Sequence, residues 1–96
     1  MMTEQASRFY IDGEWHDFAD VARLPVVDPA TETVIGHVAA GGARHVDLAV
    51  AAARRAFAGF SQSPVSERIA LLSRMHALVL ERAELFAEAL TLEMGV

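Results

Sequence analysis

The sequence predicts an α/β chain: a small β-hairpin and short strands, followed by two amphipathic helices. Three observations carry this. Asp12-Gly13 lies between short runs of aromatic and β-branched residues in FYIDGEW. The stretch VVDPATETVIG, residues 26–36, sets two β-branched residues before Asp-Pro and an apolar pair before Gly36. From Ala43 the apolar residues recur at steps of three and four, the spacing of one helix face.

Residues 1–8 read as a mobile lead-in to the segment 9–96. The hairpin is expected over 9–16, with Phe9–Ile11 and Glu14–His16 as its strands. Asp-Gly suits a two-residue type I′ turn, because both central positions need positive φ. Two isolated strands are marginal in water, so the hairpin must lean on something else. Residues 17–24 are mixed in character and are expected to be irregular. An extended stretch with a corner is expected over 25–40. Pro29 pushes Asp28 toward extended geometry. The ATET segment suits a turn, and TVIGHVAA suits a second strand from about Thr33 to Ala39. Gly41-Gly42 punctuates its end.

A helix is expected over 43–59. Val46, Ala49, Val50, Ala53, Phe57 and Phe60 form its apolar side, while Arg44, Asp47, Arg54 and Arg55 lie mainly opposite. Gly42 offers no side-chain acceptor, so the cap is weak. A second helix is expected over 64–94, with Ser63 as N-cap, Pro64 as first helical residue and Gly95 as C-cap. That pattern is long for a globular helix, and a break would fall near Glu81–Glu84. Its apolar stripe runs through Ile69, Leu72, His76, Val79, Ala83, Phe86 and Leu90.

Composition narrows the function. Ninety-six residues allow one domain at most. The hydrophobic share, 53%, slightly exceeds the usual ~45–50% and points to apolar surface intended for something outside these residues. The net charge is −5, and the eight basic residues are scattered arginines. With no basic run to follow a phosphate backbone, nucleic acid is not an expected partner. No apolar stretch approaches the ~20 residues of a membrane span. The first residues show no secretion signal, so a cytoplasmic location is the default. The chain has no cysteine, which removes disulfides, thiolate metal sites and a cysteine nucleophile.

The remaining constellations have bland readings. Leu71, Leu78, Leu85 and Leu92 recur every seven residues, the zipper spacing. The matching a positions would then include Arg68 and Arg82, which are poor seam residues, and the apolar face is too wide for a two-helix seam. His16, His37, His45 and His76 form no i, i+3 or i+4 pair. His76, on an apolar stripe, reads as a packing residue. Glu81, Glu84 and Glu88 read as a solvated helix face. Nothing resembles a nucleophile elbow, a P-loop or a G-x-G-x-x-G turn.

The order of the pieces carries more information than any of them singly. FYIDGEW, VVDPATETVIGHVAA, HVDLAVAAARRAFAGF and SERIALLSRMHALVLERAELFAEALTLEMG together resemble the amino-terminal segment of the NAD(P)-dependent aldehyde dehydrogenases over about residues 9 to 95. DPATETVI resembles that family's N-P-A-T-G-E-V-I corner. Asp28 stands where Asn is commonest, and Thr33 is assigned the place of the corner's Gly. The resemblance implies an enzyme that oxidises an aldehyde to a carboxylic acid, with NAD or NADP as hydride acceptor. It implies no catalytic or cofactor-binding residue here, because the family's cysteine, glutamate, asparagine and nicotinamide-binding residues belong to sequence beyond this segment. It implies one metal position: backbone carbonyls of Val26 and Val27 would help hold a monovalent cation. The implied partners are the remainder of the aldehyde dehydrogenase fold and further copies in a homo-oligomer. The chain alone is expected to bind no cofactor and to be inactive. The alternative is a small helical interaction or self-association module built on residues 65–92, or a remnant with no function of its own.

Overall fold

The computed structural model describes residues 4–96. Two separate antiparallel strand pairs come first, and three helices follow. Strands β1 (Phe9–Ile11) and β2 (Glu14–His16) form the hairpin, with Phe9 opposite His16 and Tyr10 opposite Trp15. Asp12 and Gly13 have φ of 56° and 78°, as a type I′ turn demands. Alternation along the strands then sets the faces. Tyr10 and Trp15 meet on the outer side with their rings tilted and 5.1 Å between centres, and Phe9 and His16 take the inner side.

Strands β3 (Ala22–Asp28) and β4 (Thr33–Ala40) form a longer ribbon. β3 begins at Ala22, inside the stretch 17–24 expected to be irregular. The cause is non-local: Ala22 and Arg23 pair with Ala40 and Ala39. Pro25 is tolerated because both strands of a two-stranded ribbon are edges. Register shifts at one point. Val26 faces Gly36 but Val27 faces Val34, so Ile35 is the extra residue of a β-bulge.

The corner between these strands is built by Asp28. Its carboxylate accepts the Ala30 N–H at 2.8 Å, and its carbonyl accepts the Glu32 N–H at 2.7 Å. Asn presents the same oxygen, which explains why the family's Asn and this Asp serve equally. Glu32 has φ 59°, the left-handed region. The place of the family's glycine is therefore Glu32, directly after Thr31, and not Thr33. Matching DPATETVI to N-P-A-T-G-E-V-I position by position gives the same result.

Of the lead-in expected over 1–8, residues 1–3 lie outside the described residues. Glu4–Ser7 form one 3-10 turn beside β4, and the Ser7 carbonyl accepts from Arg23 Nη1 at 3.0 Å.

Helix α1 spans Ala43–Phe60, and Gly42 is its N-cap. The next helix begins later than the sequence suggests. Ser63 does not cap it; its hydroxyl turns back and donates to the Phe60 carbonyl at 2.7 Å. Pro64 is the N-cap, so α2 spans Val65–Glu81. The long pattern expected over 64–94 does break near Glu81–Glu84: α3 spans Ala83–Met94, and Arg82 between the two helices has φ −107° and ψ 23°. Neither Pro nor Gly lies at the break. Beyond the break, α3 packs against β3. Gly95 then closes α3 at φ 72°, against Pro29.

These elements form a slab measuring 48 × 35 × 15 Å. Fifteen ångströms is little more than one helix diameter, so the slab is about one layer deep. Its radius of gyration is 16.8 Å, against about 13 Å for a compact chain of this size. A stable domain needs at least two packed layers. Only Ala52 and His45 are buried among the described residues, while Ile69, Leu72, Val79, Phe86 and Leu90 stand exposed. His76 is exposed with them rather than packed, because nothing in this slab covers its stripe.

Candidate functional site

The best-packed side chains gather where the hairpin meets α1. Phe9 and His16 project from the inner hairpin face, Phe18 follows two residues later, and His45 projects from the first turn of α1. The Phe18 ring lies 4.7 Å from His45, edge-on, 5.6 Å from His16, stacked, and 5.9 Å from Phe9. Arg44 places its guanidinium carbon 5.3 Å from the Phe18 ring centre. This cluster is what the marginal hairpin leans on.

His45 repairs the weak cap of α1. The Gly42 N–H donates to His45 Nδ1 at 2.9 Å, and the His45 N–H donates to the Gly42 carbonyl at 3.1 Å. A capping box normally uses Glu or Gln at this third helical position. Neither the bare Gly42 nor the mutual spacing of the histidines reveals this bond. The usable signal was an acceptor-bearing side chain three residues after Gly42.

The cluster packs; it does not present chemistry. His45 Nε2 is buried away from the surface. His16 Nε2 donates to the Ile11 carbonyl at 3.2 Å. A shallow groove of about 340 Å³ beside His45 is lined by apolar Phe9, Val46 and Ala49. No group of three or more His, Cys, Asp or Glu comes together among the described residues. Val26 and Val27 sit near the corner end of β3, at the bulge, Val26 half-buried and Val27 exposed. They are remote in sequence from the aromatic cluster and are not joined to it by a polar contact in any described hydrogen bond. The antiparallel pairs contain no β-α-β unit with a glycine-rich turn, so these residues do not fit a dinucleotide.

The sequence, unlike the site, has clear counterparts among known proteins. The family model "Aldehyde dehydrogenase family" matches residues 15–96. This chain belongs to the aldehyde dehydrogenase family. A 3-succinoylsemialdehyde-pyridine dehydrogenase of a Pseudomonas species is 41% identical over 87 residues, covering 91% of this chain and 18% of the relative. A Staphylococcus aureus protein named "Putative aldehyde dehydrogenase" is 41% identical over 86 residues, covering 90% of this chain and 18% of the relative. No solved structure matches. The chain therefore spans about a fifth of the length of these aldehyde dehydrogenases and corresponds to their amino-terminal segment. The helical interaction module is not favoured by these matches, and the break at Arg82 divides its heptad leucines between two helices.

Proposed function

We propose that this chain is the amino-terminal scaffold of an NAD(P)-dependent aldehyde dehydrogenase that oxidises an aldehyde to a carboxylic acid in the cytoplasm as a homo-oligomer. The observation that carries the reading is the family match over residues 15–96 joined to an apolar slab one layer deep. Aldehyde oxidation through a covalent intermediate needs a nucleophile and a hydride acceptor. This chain has no cysteine and its strand pairs do not fit a dinucleotide. Its own part is to supply covering structure, with the remainder of the fold packing on α2 and α3. Assay of the purified 96-residue chain with short and aromatic aldehydes and either NAD or NADP tests this. No reduced nicotinamide is expected from the chain alone. Fusion to the downstream part of a 41% identical relative is expected to yield turnover. Oxidation by the chain alone overturns the proposal.

The carbonyls of Val26 and Val27 are proposed as two ligands of a monovalent cation in the whole enzyme. The support is the place of these residues directly before the Asp28-Pro29 corner; the register shift falls between them but leaves Ile35, on the opposite strand, as the unpaired residue. Hard cations take carbonyl oxygens whatever the side chain. In the fused enzyme, thermal stability should then rise with potassium or sodium relative to a bulky organic cation at equal ionic strength. Equal stability in all three salts removes the site.

A further inference from the structure

We propose that His45 is a proton-operated clasp at the start of α1, exchanging Gly42 for Asp20 as its partner. A backbone N–H can only donate, so the 2.9 Å bond from Gly42 makes Nδ1 the acceptor and places the ring hydrogen on Nε2. That Nε2 is buried and has no hydrogen-bond partner among the described residues. His45 as a residue is 8% exposed. Asp20 Oδ1 lies 3.7 Å from this nitrogen, beyond hydrogen-bond range.

A second proton can enter the ring only at Nδ1. There it meets the Gly42 N–H, donor against donor, and the cap bond breaks. The same proton charges the ring, so the Nε2–H faces a carboxylate across a gap that less than an ångström of movement closes to a charge-assisted bond. The proton comes from solvent, and no other bond changes. The surroundings are arranged for this exchange. Asp20 comes from the connection between β2 and β3, and its other oxygen is held by Arg44 Nη1 at 3.3 Å. Phe9 and Phe18 flank the imidazole and carry no charge. His16 lies on Phe18, from β2, as the other titratable ring of the cluster. Gly42 has no side chain to replace the lost bond, so the first turn of α1 feels the change directly.

The test is a pH series by NMR, from about pH 8 to about pH 5, on the isotope-labelled 96-residue chain carrying Leu72→Glu and Phe86→Glu to keep it monomeric. The Gly42 amide shift should track the His45 ring, and the exchange protection of Gly42 should fall about tenfold as the ring charges. His45→Gln should abolish that response, because Gln at this position accepts from Gly42 without titrating. Asp20→Asn should keep the Gly42 response but remove the accompanying change at residue 20. A Gly42 amide indifferent to His45 protonation overturns the proposal. So does an unaltered response in His45→Gln, or a first turn of α1 that is not formed at neutral pH.

Discussion

Gly95 closes α3 directly against Pro29. A Cβ on Gly95 would lie 3.2 Å from Pro29 Cβ and 3.0 Å from the Ala30 amide nitrogen. Gly95 is also left-handed, with φ 72°, and its N–H caps the Thr91 carbonyl at 3.0 Å. Helix termination and docking onto the strand corner thus both require the absence of a side chain. Gly95→Ala should lower stability by about 1–2 kcal/mol from the left-handed conformation alone, with the contact adding to it. The midpoint of urea unfolding measures the loss. A change of a few tenths would mean that α3 does not rest on the corner.

Glu32 is the reverse case. It holds φ 59° with a side chain that L-residues rarely carry there. Glu32→Gly should raise stability by about 1 kcal/mol, since relief of the left-handed strain exceeds glycine's extra entropy in the unfolded chain. Thr33→Gly, one residue on and inside β4, should destabilise. The pair of variants compared by thermal unfolding identifies the corner's glycine position.

Asp28 holds the same corner by its side chain. Asp28→Ala removes the acceptor of the Ala30 N–H and should cost about 1 kcal/mol. Asp28→Asn keeps the oxygen and should stay within about 0.5 kcal/mol of the parent, the range of ordinary surface changes. Equal losses in both would show that charge, rather than the turn, is the contribution of Asp28.

The features legible in the sequence were those fixed within a few residues. Asp12-Gly13 dictates its turn by backbone sterics, and the step from period two to period three or four at Ala43 dictates the change from strand to helix. What escaped depends on distant partners. β3 starts at Ala22 because Ala40 pairs with it, and Ile35 bulges because Val26 and Val27 meet Gly36 and Val34. The break at Arg82 has no breaker residue; the length of the pattern placed it near Glu81–Glu84, and what escaped is that α3 then ends with Gly95 against Pro29. His45 escaped because its role depends on what Gly42 lacks. The candidate site was legible only as an absence of chemistry, together with the family order of four short pieces.

Turn chemistry and ion pairing can be separated at Asp12. Its carboxylate lies 3.3 Å from Arg55 Nη2, but both side chains are about two-thirds exposed. Such pairs contribute little after screening and side-chain ordering. Asn-Gly is the strongest type I′ sequence. Asp12→Asn should therefore leave stability unchanged or slightly raised although the ion pair is lost. A clear loss that shrinks with added salt would assign Arg55 a larger part in holding the hairpin on α1.

The face of α2 and α3 gives the sharpest distinction between a scaffold and an interaction module. Leu72 is 63% exposed and Phe86 is 52% exposed, with Ile69, Val79 and Leu90 beside them. Each such side chain left in water forgoes about 1.5–3 kcal/mol of burial. A scaffold cut from its cover should associate without a fixed stoichiometry, because its face is shaped for another surface. Sedimentation velocity of the pure chain should show broad, concentration-dependent species. Leu72→Glu with Phe86→Glu should return it to monomer with its helix content intact, since both positions are exposed in the monomer. A single sharp dimer in the parent would instead mean that the face recognises its own copy, and would favour the module over the scaffold.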